Sequence, residues 1–439
     1  MRLAEPRNPV TLHLDGRAVI AERGEPVAVA LVAAGHLALA RSPKFHRPRG
    51  PSCLRAACDG CLARVDGVPN VLTCRVPASE GIRVERQNVL GRGETDLLRA
   101  ADWFFPEGMN HHEFLVGAAR VPGVQRALQA MARRIAGLGR LPDDRSEGER
   151  DAPRAGIRGG ARPASRRGTD VLVIGSGAAG MSAAVALAGR GRTVEVIDDA
   201  LQWGGGARLL LGLGVRTWGP LCRAFADALS SGEISLHVRT TAAGIYADDV
   251  LALHEGDDPR VELLTARTLV LAPGSHDGVL LFEGNDLPGV MSSRAACWFA
   301  SFGIRLGEHA VVLRPVGEEP SVFGQAYARA VPGVSTVAAD PARVTGGHRA
   351  KELTIRRADG ESRLRCDTLV IDAPPVPAHE LCEQAGAALR AAPGGAFLPR
   401  APNGRIRDGV FVVGEAAGTP LEPAAVARET EVVVAAACD

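Results

Sequence analysis

The feature that most constrains this chain is a group of closely spaced cysteines. Four of the nine cysteines fall between residues 53 and 74, while the other five are scattered. The amino terminus, from Met1 to Arg7, leads into no apolar stretch of the kind found in an export signal, so we expect a cytoplasmic chain. Disulfide frameworks form in oxidising compartments, and clustered thiols elsewhere are typical of metal sites. This stretch therefore predicts a metal-binding loop.

The spacing of these cysteines indicates which metal group the loop holds. Cys53, Cys58, Cys61 and Cys74 follow the pattern C-x4-C-x2-C-x12-C, and the first three match the spacing of plant-type [2Fe-2S] ferredoxins. Gly60 and the small residues that follow Arg55 would let the loop backbone approach the bridging sulfides and donate N–H groups to them. We therefore predict a [2Fe-2S] cluster with these four cysteines as ligands.

Zinc is the main alternative occupant of such a site. Zinc sites of four cysteines usually present two C-x2-C pairs, and only Cys58 and Cys61 form one here. The remaining cysteines lie among apolar residues and are predicted to be buried small hydrophobic side chains. They are Cys222, Cys297, Cys366, Cys382 and Cys438.

The sequence around the cysteines predicts a small domain over residues 1–92. Val10 to Ile20 alternates apolar and polar residues around Asp15-Gly16, which predicts a β-hairpin. Residues 26–35 read as a short amphipathic helix, and further strands are expected near 62–66 and 82–85. This order is typical of a β-grasp ferredoxin-like domain, an α+β fold.

Three further segments follow. Residues 93–140 show helical spacing and are predicted to form a helical connector, in which His111, His112 and Glu113 are expected to serve packing or subunit contact. Residues 141–168 contain too few apolar side chains to order themselves and are predicted to be a flexible linker. Residues 169–439 alternate short apolar strands with helices, the pattern of an α/β domain with a parallel sheet.

Charge and hydropathy exclude two classes of partner. The 51 basic and 50 acidic residues are nearly balanced, so no strong field attracts the chain to nucleic acid. The sequence contains no run of about 18 consecutive apolar residues, so we expect no membrane span.

A dinucleotide-binding fingerprint opens the α/β domain. The apolar strand that ends at Ile174 runs into Gly175, Gly177 and Gly180, with Ala178 and Ala179 completing the turn, and a helix follows. The first glycine permits the tight turn, the second lets the backbone reach a pyrophosphate, and the third allows close packing of helix on sheet.

A carboxylate stands at the expected distance after this fingerprint. The next strand ends in Asp198, about 20 residues further on, where a side chain can accept hydrogen bonds from ribose hydroxyls. Asp199 is the second choice for this role. Strand, glycine turn, helix and acid therefore occur in the order that a dinucleotide site requires.

Several segments of the chain resemble a known family. Residues 41–50, 67–71 and 87–88 are similar to the amino-terminal region of the alpha subunit of heterotetrameric sarcosine oxidase. The version with four cysteines resembles the iron-sulfur subunits of hydrogen cyanide synthase and opine oxidases, fused here to their FAD-containing subunit. The resemblance implies a two-part Rossmann-type FAD/NAD(P)-binding domain of the pyridine nucleotide-disulfide oxidoreductase type, with FAD as its cofactor.

The resemblance also assigns further cofactor-binding residues. Gly274 ends an Ala-Pro-Gly sequence that matches the family's "ATG"-like strand, with proline in place of threonine. Gly414 and Glu415 match the pair that contacts the flavin side of FAD. Gly204 and Gly205 match the glycine turn that follows the ribose acid.

This sequence departs from the family pattern in two places. The long alpha subunits continue into an aminomethyltransferase-like half, and this chain ends at Asp439, so folate chemistry is not expected. The second nucleotide subdomain, at about residues 285–372, is predicted to be degenerate, because the strand His309 to Leu313 is followed by Arg314 to Pro320 rather than by three glycines. Proline and acidic residues at this point argue against NAD(P) binding there.

Family members of this kind pair with a separate FAD-dependent amine or amino-acid oxidase subunit. The resemblance therefore implies an electron-transfer subunit of a multi-component amine or amino-acid oxidase or dehydrogenase, in which the cofactors perform the redox chemistry and no catalytic side chain is required. Two alternatives stay open, a self-contained NAD(P)H-dependent reductase and a non-catalytic scaffold. His46, just before the cysteine loop, is expected either to touch a cofactor phosphate or a partner, or to be a structural hydrogen-bonding residue.

Overall fold

A computed structural model describes residues 1–42, 45–87, 89, 96–97, 163–256, 258–357 and 360–438. The predicted helical connector, apart from residues 96 and 97, and most of the predicted linker therefore lie outside the described residues. The described residues divide into two compact units. The first unit combines the described residues of the amino-terminal domain, up to residue 97, with Leu280–Val316 and Gly333–Ile371. The second unit combines residues 163–279 with Gly317–Pro332 and the residues from Asp372 onward.

The amino-terminal domain is a sheet crossed by one helix, as the sequence predicts, and the sheet has five strands. Its elements are β1 (Pro9–Leu14), β2 (Arg17–Glu22), α1 (Val27–Ala33), β3 (Ala40–Arg41), β4 (Pro48–Arg49), β5 (Leu62–Val65), β6 (Val68–Leu72) and β7 (Arg83–Glu85). The strand order is β2-β1-β7-β5-β6. The predicted hairpin is confirmed, since β1 and β2 pair around Asp15 and Gly16, both with positive φ. Helix α1 buries six of its residues against this sheet's core.

The first nucleotide half follows in the second unit. Its elements are β8 (Ser165–Ile174), α2 (Ala178–Ala188), β9 (Val194–Ile197), α3 (Gly205–Gly212), α4 (Gly219–Ser231), β10 (Ile234–His237), β11 (Thr240–Tyr246), β12 (Asp249–His254), β13 (Arg260–Leu271) and β14 (Ser275–His276). The strands lie in the order β10-β9-β8-β13-β12-β11, parallel from β10 to β13 and antiparallel beyond. Strand β8 begins at Ser165, inside the predicted linker, because residues 165–168 pair with the start of β13.

The second nucleotide half comes next along the chain. Its elements are β15 (Val290–Ser292), α5 (Ser293–Ser301), β16 (Ala310–Arg314), α6 (Val322–Ala330), β17 (Ser335–Ala338), β18 (Asp340–Gly346), β19 (Ala350–Arg357), β20 (Gly360–Arg365) and β21 (Thr368–Ile371). In the first unit, these strands form a parallel sheet in the order β15-β21-β16-β17 and an antiparallel sheet in the order β18-β19-β20. Helix α6 belongs to the second unit.

The last part of the chain returns to the first nucleotide half. Its elements are β22 (Val376–Pro377), α7 (Glu380–Gln384), β23 (Leu389–Ala391), β24 (Phe397–Pro399), β25 (Arg405–Arg407), β26 (Val410–Val412) and α8 (Pro423–Cys438). Strand β26 pairs in parallel with β13, so β8, β13 and β26 bring their carboxyl ends to one edge of the sheet. Apolar residues of these strands form the buried core of this unit.

Exposure tests the prediction for the scattered cysteines. Cys222, Cys297, Cys366 and Cys382 are buried, as predicted. Cys438 is exposed, so the prediction was wrong for this residue, which is the last residue of α8. In the part of the chain that the structure describes, no helix has the length and apolar character to cross a lipid bilayer.

A row of polar side chains crosses the first nucleotide sheet from strand to strand. The row runs through His237, Glu195, Arg167, Glu262, His254 and Thr240, one residue on or at the start of each strand from β10 to β11. Arg167 donates to both oxygens of Glu195, at 2.7 and 2.6 Å. Burial raises the pKa of Glu195, but hydrogen bonds from Arg167 and His237 outweigh it and hold that pKa at about 2. Glu195 is therefore an ionised, buried partner of Arg167.

Replacing this buried carboxylate should destabilise the sheet. We expect Glu195→Gln to lower the free energy of unfolding at neutral pH by about 1–3 kcal/mol, because Arg167 loses a charged, bidentate partner. The pKa of Glu195 falls from 4.5 to about 2 on folding, so the stabilisation is complete above the higher value and is lost as the pH falls toward the lower one. Urea unfolding of the two proteins at several pH values measures this difference.

Asp258→Asn is the matched control, because Asp258 pairs with Arg260 at the exposed surface, where an ion pair contributes little. Equal losses of stability in the two variants would contradict the special role of Glu195.

Candidate functional site

The structure brings the four predicted cluster cysteines together in one loop region of the amino-terminal domain. Cys53 and Cys58 lie after β4 with their Sγ atoms 3.3 Å apart. Cys61 immediately precedes β5, and Cys74 lies in the 3-10 turn Thr73–Arg75 after β6. Three of these side chains are buried, and Cys58 is partly exposed. The thiol of Cys61 is hydrogen-bonded to that of Cys74, so the sulfurs form two adjacent pairs.

Backbone N–H groups point at these sulfurs. Cys53 accepts from the N–H groups of Arg55 and Ala57, and Cys74 accepts from that of Ala56. The loop achieves this by placing Leu54 and Ala56 at positive φ, a conformation that side chains other than glycine rarely adopt. N–H donors aimed at thiolate sulfurs are what an iron-sulfur cluster requires, because they stabilise its negative charge.

Hydrogen bonding within the pairs divides the thiols into two kinds. The hydrogen bond with Cys53 lowers the pKa of Cys58 to about 5, with further donors in Ser52 and Gly60. The pKa of Cys53 is raised by the same bond. Cys61 and Cys74 repeat the pattern, with the pKa of Cys61 lowered and that of Cys74 raised. Four cysteine side chains in one region, with backbone N–H groups directed at their sulfurs, are a donor set that fits a [2Fe-2S] cluster.

The cysteine loop is held from both sides by backbone contacts. A Cβ atom at Gly60 would overlap the carbonyl oxygen of Gly50, and a Cβ atom at Gly50 would lie 3.1 Å from the Cα of Pro288. The N–H of Ser292, at the start of α5, donates to the carbonyl oxygen of Ser52 at 2.9 Å. The second nucleotide half therefore supports the cysteine loop within the first unit.

The dinucleotide fingerprint has the geometry that its three glycines predict. Gly175 has a φ of 97°, and a Cβ atom there would overlap the carbonyl oxygen of Ala272. A Cβ atom at Gly180 would overlap the carbonyl oxygen of Gly175. Gly177, the N-cap of α2, has no atom within 4 Å of its Cβ position. The open space at Gly177, beside the helix N-terminus, fits a dinucleotide phosphate.

The predicted ribose ligand lies against this turn. One carboxylate oxygen of Asp198 accepts from the backbone N–H and the hydroxyl of Ser176, both at 2.6 Å, and the other accepts from the N–H of Ala200 at 2.8 Å. Asp198 is half-buried and Asp199 is exposed, and the choice of Asp198 as the ribose ligand stays a prediction. Ser176 holds Asp198 in place, a role that its position inside the fingerprint could have suggested.

The residues assigned by resemblance surround the same turn. A Cβ atom at Gly205 would lie 3.1 Å from the Cα of Gly177, and one at Gly414 would lie 2.6 Å from the Cβ of Ala179. The Cβ position of Gly274 is 3.8 Å from a carboxylate oxygen of Glu415. These glycines bring three loops close to helix α2. Their roles in cofactor binding stay predictions.

Two side chains that the sequence did not single out support these loops. The hydroxyl of Ser275 donates to Glu415 at 2.9 Å, and the N–H of Gly414 donates to Glu429 of α8 at 2.6 Å. Burial raises the pKa of Glu429, against the opposing effect of hydrogen bonds from Thr419 and Gly414. No local pattern marks Glu429 in the sequence, because its role depends on the packing of α8.

Of the histidine candidates that the sequence analysis named, the structure describes only His46. His46 is fully buried, and its Nδ1 lies 2.9 Å from the carboxylate of the buried Asp96. This contact favours the structural role for His46. His111, His112 and Glu113 lie outside the described residues.

Comparisons with known proteins divide the chain in the same way. Residues 7–89 match the family model of a 2Fe-2S iron-sulfur cluster binding domain, and residues 169–313 match that of pyridine nucleotide-disulphide oxidoreductases. The sarcosine oxidase subunit alpha of Rhizobium meliloti (strain 1021) is 28% identical over 319 residues, which cover 67% of this chain and 30% of that protein. The chain thus spans about a third of the length of this relative.

Two further comparisons cover the amino-terminal domain and the fold. Hydrogen cyanide synthase subunit HcnA of Pseudomonas aeruginosa is 35% identical over 82 residues, which cover 19% of this chain and 78% of that protein. The crystal structure of L-proline dehydrogenase from P. horikoshii superposes with a TM-score of 0.70 at 21% identity, covering 99% of this chain and 74% of that chain. This structure shows the fold.

Fold, site and family models together define an oxidoreductase chain that joins a [2Fe-2S] domain to an FAD-binding domain. The chain belongs to the family of the sarcosine oxidase alpha subunit and hydrogen cyanide synthase subunit HcnA.

Removing one cluster ligand should abolish the cluster. We expect Cys61→Ser to lose nearly all bound iron and iron-sulfur absorption, because a buried hydroxyl does not replace a thiolate as a ligand for iron. Iron analysis and the visible spectrum of the purified chain measure this loss. Cys222→Ser is the control, since Cys222 is buried far along the chain and should leave the iron content unchanged. A Cys61→Ser protein with full iron content would contradict the ligand assignment.

A substitution at Gly177 tests cofactor binding without disturbing the fold. Gly177→Ala meets open space and an extended backbone, so the melting temperature of the flavin-free protein should not change. The added methyl group should weaken FAD binding about tenfold or more, because it keeps the pyrophosphate away from the backbone. Flavin titration measures the affinity. Gly212→Ala, also in open space at the end of α3, should bind FAD normally, and equal affinities in both variants would refute the site.

Proposed function

We propose that this chain is an electron-transfer subunit of a multi-component amine or amino-acid oxidase or dehydrogenase. The observation that carries the proposal is the presence of both sites in one chain, a thiol set that fits a [2Fe-2S] cluster and a turn that fits a dinucleotide. Two relatives that match 67% and 69% of this chain are named as subunits of sarcosine oxidase, which supports a role within a larger complex.

In this proposal the side chains of the chain hold cofactors and carry out no bond chemistry. When bound, FAD can accept two electrons and pass them on one at a time, and the cluster can carry one electron. Gly175, Gly177 and Gly180 admit the pyrophosphate, and Asp198 binds the ribose. The N–H groups that point at the sulfurs of Cys53 and Cys74 would adjust the reduction potential of a bound cluster.

The oxidation step itself falls to a partner. We assign it to a separate FAD-dependent amine or amino-acid oxidase subunit, which passes electrons to this chain in the cytoplasm. The predicted domain boundaries at residues 92 and 140 belong to the same proposal, and the FAD-binding part begins with strand β8 at Ser165.

The test is to purify the tagged chain anaerobically from its own cells and to identify co-purifying flavoproteins by mass spectrometry. The complex is then mixed with amino acids, including sarcosine and L-proline. We expect the flavin absorption to bleach and the electron paramagnetic resonance signal of a reduced [2Fe-2S] cluster to appear. The isolated chain should show neither change with the same amino acids.

A matched control uses the complex with Cys61→Ser. Its flavin should still bleach with the amino acid, but no cluster signal should appear, because the electrons lack their acceptor. Reduction of the isolated chain by NADH would contradict the proposal and favour the self-contained reductase.

A further inference from the structure

The two nucleotide halves have the same local arrangement at the start of one helix. Helix α2 has Gly177 as its N-cap and Gly180 as its third residue, and helix α6 has Ser321 as its N-cap and Gly324 as its third residue. In the first half, Ile174 pairs with Leu271, and Ala272 follows. In the second half, Leu313 pairs with Ile371, and Asp372 follows. Asp372 therefore stands where the first half has Ala272.

The two residues make different contacts at these helices. In the first half, the Cβ of Ala272 lies 3.3 Å from the Cβ position of Gly180. The side chain of Ala272 extends no further than this methyl group. In the second half, one carboxylate oxygen of Asp372 accepts from the N–H of Ser321 at 3.0 Å, and the other accepts from the hydroxyl of Ser321. A Cβ atom at Gly324 would overlap this carboxylate. The glycine makes room for an acidic side chain.

The carboxylate of Asp372 is held firmly at this position. The residue is only 2% exposed, and both its oxygens are hydrogen-bonded to Ser321. Ser321 also caps α6, since its hydroxyl accepts from the N–H of Gly324 at 3.0 Å. The unpaired N–H groups and positive potential of a helix N-terminus attract an anion, and here the chain supplies one of its own.

We propose that Asp372 is an internal anion that closes the second nucleotide site to phosphate. A dinucleotide would have to place its pyrophosphate on the first turn of α6, where the carboxylate already accepts from the N–H and the hydroxyl of the N-cap residue Ser321 and repels a second negative charge. Asp372 thus acts together with the missing glycine turn, which Arg314 to Pro320 replace, to oppose NAD(P) binding by this half. This inference concerns only Asp372 and α6, and it stands or falls independently of the proposed electron-transfer role.

Asp372→Ala gives the second half the residue of the first and tests the inference. The probes are inorganic pyrophosphate and NADPH, added to the FAD-loaded chain so that the first site is filled. We expect wild type to show no pyrophosphate-dependent rise in melting temperature, and Asp372→Ala to bind pyrophosphate about tenfold tighter or more, because a like charge has been removed. NADPH fluorescence gives a second measure of binding in the same samples.

Two further variants keep the test decisive. Asp372→Asn keeps the size of the side chain and removes its charge, so it should bind pyrophosphate tighter than wild type and weaker than Asp372→Ala. Asp367→Ala is the control, because Asp367 also accepts from backbone N–H groups, those of Glu308 and His309, but not at a helix N-terminus. It should gain no affinity. Equal pyrophosphate binding by wild type and both Asp372 variants, tight or absent, would overturn the inference.

Discussion

The close approach of the Gly175 turn to strand β13 is the constraint on which the flavin domain depends. Because Gly175 and Gly180 lack side chains, helix α2 starts directly beside Ala272, and the space at Gly177 stays open. Any larger residue at Gly175 or Gly180 would separate the helix from the sheet and move Asp198 away from Ser176. The second half has a longer loop, between Arg314 and Ser321, before α6, and it places Asp372 where the first half has Ala272. In our proposal, the carboxylate of Asp372 keeps a phosphate from the first turn of α6.

A different constraint governs the cysteine loop. Its thiols depend on backbone N–H groups, and the loop exposes those groups only by placing Leu54 and Ala56 at positive φ. At the start of the loop, the backbone of Gly50 lies close to Pro288, and the carbonyl oxygen of Ser52 accepts from the N–H of Ser292. The second nucleotide half, which lacks a glycine fingerprint, thereby supports the cluster-binding loop of the first unit.

Local signals in the sequence were sufficient to predict both cofactor sites. The cysteine spacing, the hairpin at Asp15-Gly16 and the strand-turn-helix at Gly175 each depend on residues close together in the chain, where turn and capping rules apply. The role of Glu429 was not predicted, because it results from the packing of α8 against a distant loop. The role that we propose for Asp372 was not predicted either, because it depends on the residue at which β21 ends and on contact with the distant Ser321. The start of β8 at Ser165 was missed for a similar reason, since polar residues there become a strand only by pairing with β13.

The most direct test of the whole account is the anaerobic visible spectrum of the purified chain before and after acid precipitation, combined with iron analysis. Acid destroys an iron-sulfur cluster and releases non-covalent flavin into solution. We expect one [2Fe-2S] cluster and one FAD per chain, so the iron-sulfur absorption should vanish while free FAD appears in an equal amount. Iron-sulfur absorption with no released FAD would contradict the account, because the turn at Gly177 would then hold no flavin.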